Sequence, residues 1–292
     1  MKINLEMNKD ITSLFTLKIK TRAEYFFEAK TREDLISAKK YSLEQKLPLL
    51  ILAGGSNLAI TKDVIPGLVV KNSYSQSKII SEDANHVLLS VSSGYPVSKL
   101  VNETVEKGLS GFQYHKGLPG TVGGAIYNNS KWTKPLSSFG DNLIEAYLVD
   151  KNGNEKKVNK EYFQFAYDFS ILHQTKEILL EAILKLTKKD PEELKNQAVK
   201  ALDYRRQTQP QGVFTSGCFF QNVSGGSAGE MIDKAGLKGF CVGNFQVSQK
   251  HANFIINTGN GKPEDLKKLV KIIKDRVKEK FGVELKEEVI LI

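Results

Sequence analysis

Cysteine is almost missing from this sequence, with Cys218 and Cys241 the 2 examples among 292 residues. They cannot build a disulfide framework, and with no CxxC or HExxH spacing nothing marks a structural or catalytic zinc. The histidines, His86, His115, His173 and His251, are scattered along the chain, so no metal site is expected. Proline is scarce at 8 residues, and the 40% hydrophobic and 9% aromatic content excludes disordered, collagen-like and low-complexity chains. No apolar run approaches the roughly 18 residues of a membrane span, and Met1-Lys2-Ile3-Asn4-Leu5-Glu6 lacks the apolar stretch of a signal peptide. Free thiols without an export signal predict a cytoplasmic protein with no membrane insertion.

Positive charge is in excess, at +9, and its distribution narrows what it serves. Between Lys262 and Lys280 the basic residues alternate with Leu266, Leu269, Val270, Ile273 and Val277 at helical spacing, the pattern of a solvated helix face. No Lys/Arg stripe with interleaved aromatics is present, so nucleic acid is not an expected partner. Tyr204-Arg205-Arg206 closes a helix expected to start at Asp190-Pro191. This small cluster suits either an anionic small molecule or the negative end of the helix dipole.

Thr31 followed by Asp34 predicts a capped helix start, and Leu49-Leu50-Ile51-Leu52 a short buried strand running into glycines. Val87–Val91 reads as a strand, Val97–Glu106 as an amphipathic helix, and Tyr147-Leu148-Val149 with Asn152-Gly153 as a hairpin. Hairpins beside helices predict an α+β fold, with a junction at Lys188-Lys189-Asp190-Pro191. The carboxy-terminal part ends in an amphipathic helix, Pro263–Phe281, stopped by Gly282 and followed by a strand over Val283–Ile292. Alternation there puts Val283, Leu285, Glu287, Val289 and Leu291 on one face and Glu288 on the other.

Glycine, at 23 residues, is where function is sought. In Ala53-Gly54-Gly55-Ser56-Asn57-Leu58 a strand ends in two glycines and small polar side chains, suited to bringing backbone N–H groups against phosphate. In Gly117-Leu118-Pro119-Gly120-Thr121-Val122-Gly123-Gly124-Ala125 the missing Cβ atoms let main chain approach a large anionic cofactor. One such loop is ordinarily a turn, whereas two dense ones point to a dinucleotide. Neither matches GxGxxG or GxxxxGK[ST], which disfavours a Rossmann NAD site and a P-loop.

These two loops, in this order, resemble the FAD-binding loops of the UDP-N-acetylenolpyruvoylglucosamine reductase family. The resemblance continues in Ser216-Gly217-Cys218-Phe219-Phe220-Gln221-Asn222, in Ala235–Gly239, in Val247–Asn257 and in Phe281–Val289, and so covers most of the chain. It matches the family's shorter form. It implies an FAD-binding region of the FAD-linked oxidase (PCMH) type over residues 1–187, in subdomains 1–72 and 73–187, and a smaller α+β UDP-sugar-binding domain over 188–292. It also implies that NADPH reduces bound FAD, which then reduces the enolpyruvyl ether of UDP-N-acetylglucosamine enolpyruvate during peptidoglycan synthesis, in a monomer or weak oligomer. Two rivals stay open: an FAD-linked oxidase, which explains the loops but not the later segments, and a binder that has lost turnover.

By position the family's proton donor falls on Cys218, where most members carry serine. A thiol, of ordinary pKa about 8.5, is the stronger acid; the ordinary fate of a lone cysteine is a buried small hydrophobe. The family's glutamate, stabilising the enol intermediate, falls on Glu288. UDP contacts fall on Arg206 and Asn222, with His251 and Asn253 lining the same pocket, and FAD contacts on Ala53–Leu58, Gly117, Pro119, Gly120, Thr121, Gly123, Gly124 and Ala125. The family's third catalytic residue is an arginine in a Tyr-Arg-x-Ser pattern, but this chain reads Tyr167-Asp168-Phe169-Ser170. An anion cannot replace a cation beside a carboxylate on which charge builds, so either Asp168 points elsewhere and another cation serves, or activity is reduced or redirected.

Overall fold

Thr31 opens the first helix as its sequence requires: its hydroxyl accepts from Asp34 N at 3.1 Å while the Asp34 carboxylate accepts from Thr31 N at 2.9 Å. In the computed structural model, which describes residues 3–223 and 226–292, the helices are α1 (Arg32–Glu44), α2 (Val97–Glu106), α3 (Val122–Tyr127), α4 (Leu172–Thr175), α5 (Pro191–Thr208), α6 (Ala228–Lys234) and α7 (Pro263–Phe281). Two compact units emerge. The first holds the segment up to Met7 with Tyr25–Gly54 and Gly67–Arg205; the second holds Asn8–Glu24, Gly55–Pro66 and Arg206–Ile292.

The first unit is built on an antiparallel sheet in the order Glu155–Asn159, Leu143–Val149, Ile178–Lys188, His86–Ser92, Ser77–Glu82, with Leu109–Ser110 also pairing Ile178–Lys188. Asp150–Asn154 makes the expected hairpin turn, with Gly153 at φ +84°. Helix α2 buries Val97, Leu100, Val101, Thr104 and Val105, the stripe its period predicts, in a core with Phe112, Phe139, Phe163 and Leu184. Leu49–Leu52 pairs in parallel with Leu68–Lys71, delivering Ala53 and Gly54 to the strand's carboxyl end.

The second unit carries a sheet in the order Phe214–Cys218, Phe254–Asn257, Phe245–Val247, Cys241–Val242. Helix α7 buries Leu266, Leu269, Val270, Ile273 and Val277 and stops at Gly282, whose φ of +69° only glycine adopts cheaply. The expected strand over Val283–Ile292 is corrected by the structure: only Ile290–Leu291 is strand, parallel to Leu58–Ala59. Leu285 and Val289 are buried as alternation predicts, but Leu291 is 47% exposed. The segment bends because its backbone is shared: Gln221 N donates to Lys286 O and Glu288 N to Phe219 O, both at 2.9 Å, before Ile290 N reaches Asn57 O at 3.0 Å.

Mixed sheets and helices make the fold α+β. No helix among the described residues is long and apolar enough to cross a membrane.

Candidate active site

In the first unit the glycine loops meet main chain to main chain. A Cβ on Gly54 would lie 2.4 Å from Gly120 Cα, and one on Gly123 would lie 2.9 Å from both the carbonyl oxygen and Cβ of Ser93. A Cβ on Gly124 would come within 3.3 Å of Ala53 Cβ. Val97 N donates to Gly120 O at 3.0 Å, Val122 N to Tyr95 O at 2.9 Å and Gly123 N to Ser93 O at 2.7 Å, so α2 and the turn before it hold the second loop. Gly117 and Gly120 have φ of +82° and +104°, the left-handed backbone that glycine alone tolerates well. Thr121, 7% exposed, has a buried hydroxyl with no hydrogen-bond partner. A narrow main-chain cradle with an orphaned hydroxyl at its edge fits a polar, anionic cofactor. Lys71 Nζ donates to Ala53 O, and burial pulls its pKa below the ordinary lysine value.

His115 props this second loop from behind, its carbonyl accepting from Leu118 N at 2.9 Å. Its ring is fully buried between Phe112 and Phe139, and burial, aided by the nearby positive charge of Arg205, lowers its pKa to about 3. The unfolded chain therefore takes up a proton near pH 6.5 that the folded chain refuses. The stability this imidazole contributes is complete above pH 6.5 and is lost as pH falls toward about 3, at about 1.4 kcal/mol per unit. Replacing His115 by phenylalanine is expected to flatten the dependence of unfolding free energy on pH over that interval, measured by urea titration. An unchanged slope would contradict a neutral buried ring.

In the second unit Gly55 carries φ +65°, and a Cβ there would strike Leu14 O at 2.1 Å. Asn57 Nδ2 donates to Glu288 O at 3.2 Å, and Leu58 pairs with Ile290. The Gly55–Leu58 half of the first loop is thereby tied to the carboxy-terminal segment. Ser56 lies within this stretch, partly buried. Cys218, half-buried, ends the strand Phe214–Cys218 opposite Phe254, after an irregularity at Gly217, whose φ is +84°. Asn253 clamps the residues beyond it: Phe219 N donates to Asn253 O at 2.7 Å, Phe220 N to Asn253 Oδ1 at 2.9 Å, and Asn253 Nδ2 to Phe220 O at 2.7 Å. Because Glu288 N bonds Phe219 O, the Cys218 and Glu288 segments are zipped together at one residue's remove.

Around them, Asn222 Oδ1 accepts from Ala228 N at 3.0 Å at the start of α6. His251 Nδ1 accepts from Asn253 N at 3.3 Å, and its ring lies edge-on to Phe254 at 4.9 Å with Gly229 behind it. Burial lowers the His251 pKa, with Lys238 adding a smaller push in the same direction. Arg206, exposed near the end of α5, offers its carbonyl to Lys250 Nζ. The second unit thus brings together the segments of Asn57, Cys218, Asn253 and Glu288; the FAD-loop residues Ala53, Gly54, Gly117, Pro119, Gly120, Thr121, Gly123, Gly124 and Ala125 belong to the first.

One residue of the first unit was invisible to sequence reasoning. Lys131 follows α3, and its Nζ lies 2.7 Å from Asp168 Oδ1 and 3.0 Å from the centre of the Tyr167 ring. The partnership spans 37 residues of chain, and no spacing rule announces it.

Closely approaching glycine loops in an α+β unit are joined by a match of residues 23–159 to the family model for an FAD binding domain, which makes the chain a flavoprotein of the FAD-linked oxidase type. The model for the C-terminal domain of UDP-N-acetylenolpyruvoylglucosamine reductase matches residues 209–292. The reductase of Halalkalibacterium halodurans is 32% identical over 288 residues, covering 99% of this chain and 94% of the relative. The crystal structure of the Thermus caldophilus reductase superposes with a TM-score of 0.83 at 28% identity, covering 100% of this chain and 99% of that one. The chain belongs to the UDP-N-acetylenolpyruvoylglucosamine reductase family. At 12% identity, 6-hydroxy-D-nicotine oxidase from Arthrobacter nicotinovorans shares the fold alone, with a TM-score of 0.51 over 98% of this chain and 62% of its own.

Proposed function

We infer that this chain reduces UDP-N-acetylglucosamine enolpyruvate to UDP-N-acetylmuramate, with NADPH as the hydride donor and FAD as the bound cofactor, in peptidoglycan synthesis. Full-length kinship to the reductase family carries this reading, and the zipping of the Cys218 segment to the Glu288 segment supports it. FAD, when bound, supplies the hydride chemistry between NADPH and the enolpyruvyl carbon–carbon double bond. The protein supplies the rest. Cofactor contacts are assigned to Ala53–Leu58 and to the Gly117–Ala125 loop, and within the first unit absent Cβ atoms let Gly54 approach Gly120 main chain to main chain.

Addition of a hydride at C3 of the enolpyruvyl group leaves negative charge spreading through C2 onto the carboxylate, and a proton must reach C2. Cys218 Sγ delivers that proton from the end of its strand. Glu288 faces the same group as a hydrogen-bond donor that stabilises the enol form, its backbone held by Phe219 on one side and Asn57 on the other. Asn253 keeps the Cys218 strand in place through Phe220, and the His251 ring supports Asn253 in turn. Arg206 and Asn222 take the UDP portion. Cofactor binding is assigned to residues 1–187 and sugar-nucleotide binding to 188–292, in a cytoplasmic monomer or weak oligomer.

The test is product analysis. Purified protein given NADPH and UDP-N-acetylglucosamine enolpyruvate is expected to consume one NADPH for each substrate converted to a species two hydrogens heavier by mass spectrometry. NADPH oxidation that proceeds with oxygen and leaves the sugar nucleotide unchanged would instead establish an oxidase.

A further inference from the structure

A reaction that builds negative charge on a substrate carboxylate works best with a cation held against it. The partly and fully buried cations of the first unit differ in what they are committed to. Arg32 is absorbed by Glu155 and Glu181, and Glu181 is also bonded by Tyr74 at 2.6 Å. Lys156 is paired with Glu177, which also accepts from Tyr162 at 2.7 Å. Both oxygens of Glu181 and of Glu177 have partners within the protein.

The Lys131–Asp168 pair is built otherwise. Its side chains are 17% and 10% exposed, yet Asp168 Oδ2 is buried with no hydrogen-bond partner. Asp168 is also held at φ +49°, a conformation that costs a non-glycine residue stability. A half-satisfied, strained, buried ion pair is an expensive way to stabilise a fold, because desolvation offsets much of the attraction. Such costs gather at sites where a ligand completes the arrangement. The pair is also placed deliberately. Asn129 Nδ2 donates to Ala166 O at 3.1 Å and Ser170 Oγ to Tyr127 O at 2.7 Å, lacing the segment after α3 to the turn carrying Asp168. Stacking of Tyr127 on His173, 4.0 Å between centres, backs the same junction. Helix α3 begins inside the second glycine loop, so one short helix connects the cofactor cradle to Lys131.

We propose that Lys131 and Asp168 form a two-point subsite for the substrate: Lys131 Nζ binds the enolpyruvyl carboxylate, and Asp168 Oδ2 accepts from a hydroxyl or amide N–H of the sugar. The proposal rests on the function inferred above. Lysine then lies between two carboxylates, Asp168 fixing its position and the substrate completing its coordination, while the Tyr167 ring face shields the ammonium. The sugar supplies the donor that Oδ2 lacks. This also resolves the anion that stands where the resemblance calls for arginine: the positive charge is delivered from the opposite segment.

The test uses the FAD-loaded protein. Lys131→Met is expected to leave flavin reduction by NADPH intact and to slow anaerobic reoxidation by UDP-N-acetylglucosamine enolpyruvate about 10²–10³-fold. Lys131→Arg is expected to recover most of that loss. Binding of the same substrate to the oxidised protein, followed by perturbation of the flavin spectrum, is expected to weaken about tenfold or more in Lys131→Met and in Asp168→Asn. Should Lys131→Met fold poorly, Lys131→Gln, which keeps a donor for Asp168, carries the same expectations. Wild-type substrate affinity and reoxidation in these variants, or equal losses in both half-reactions, would overturn the subsite. Failure of the wild-type protein itself to be reoxidised by this substrate would instead overturn the functional reading, and the subsite with it.

Discussion

Cys218→Ala is expected to separate the two halves of the catalytic cycle. Reduction of bound flavin by NADPH should be nearly unchanged, because that step needs no proton from Cys218. Reoxidation by the enolpyruvyl substrate should slow about 10²–10⁴-fold, the usual worth of a positioned general acid. Alanine is smaller than cysteine and the site is half-buried, so the variant should fold, which a thermal melt would check. Cys218→Ser should restore most of the rate, since a hydroxyl at the same backbone position also carries a transferable proton. Anaerobic single-turnover kinetics read both steps. Equal slowing of the two would argue that Cys218 shapes the site without giving up a proton.

The second large effect is expected from Gly54→Ala. The added methyl would sit 2.4 Å from Gly120 Cα and 3.3 Å from Gly120 N and C, all of them backbone, so no side-chain rotation can relieve it. The two loops would have to part. Overpacking of this kind costs about 1–3 kcal/mol. If that cost falls on the cofactor-bound arrangement, FAD affinity drops about 10- to 100-fold. The measurement is flavin absorbance after dialysis, with circular dichroism to confirm the fold. A variant that keeps stoichiometric flavin at wild-type affinity would contradict the close-packed cradle.

Much of the scaffold was legible because its signals are local. The Thr31–Asp34 capping box, the α2 stripe from Val97 to Val105, the Pro263 start and Gly282 stop of α7, and the hairpin turn at Gly153 each use chemistry contained within a few residues. The end of the chain was misread for the opposite reason. Period-two alternation from Val283 to Leu291 predicted one strand, but backbone groups there answer to Phe219, Gln221 and Asn57, far away in sequence, and the segment bends to meet them.

The candidate site divides in the same way. Glycine density exposed the loops, and the family resemblance named Cys218 and Glu288. That Asn57 holds the Glu288 backbone, that Asn253 spends both amide atoms on Phe220, and that Lys131 meets Asp168 are products of topology. No pattern within a single segment encodes them. Asp168 stands where the resemblance calls for arginine, which leaves open that another cation serves or that activity is reduced or redirected, and nothing in the sequence points to Lys131.

The most direct test of the account is anaerobic stopped-flow spectroscopy on the wild-type protein. Bound FAD is first reduced with NADPH and then mixed with UDP-N-acetylglucosamine enolpyruvate, while absorbance in the flavin band is followed. Rapid bleaching by NADPH is expected, followed by rapid return of the oxidised spectrum on addition of the sugar nucleotide, with no oxygen present. Flavin that is bleached and stays bleached until air is admitted would contradict it.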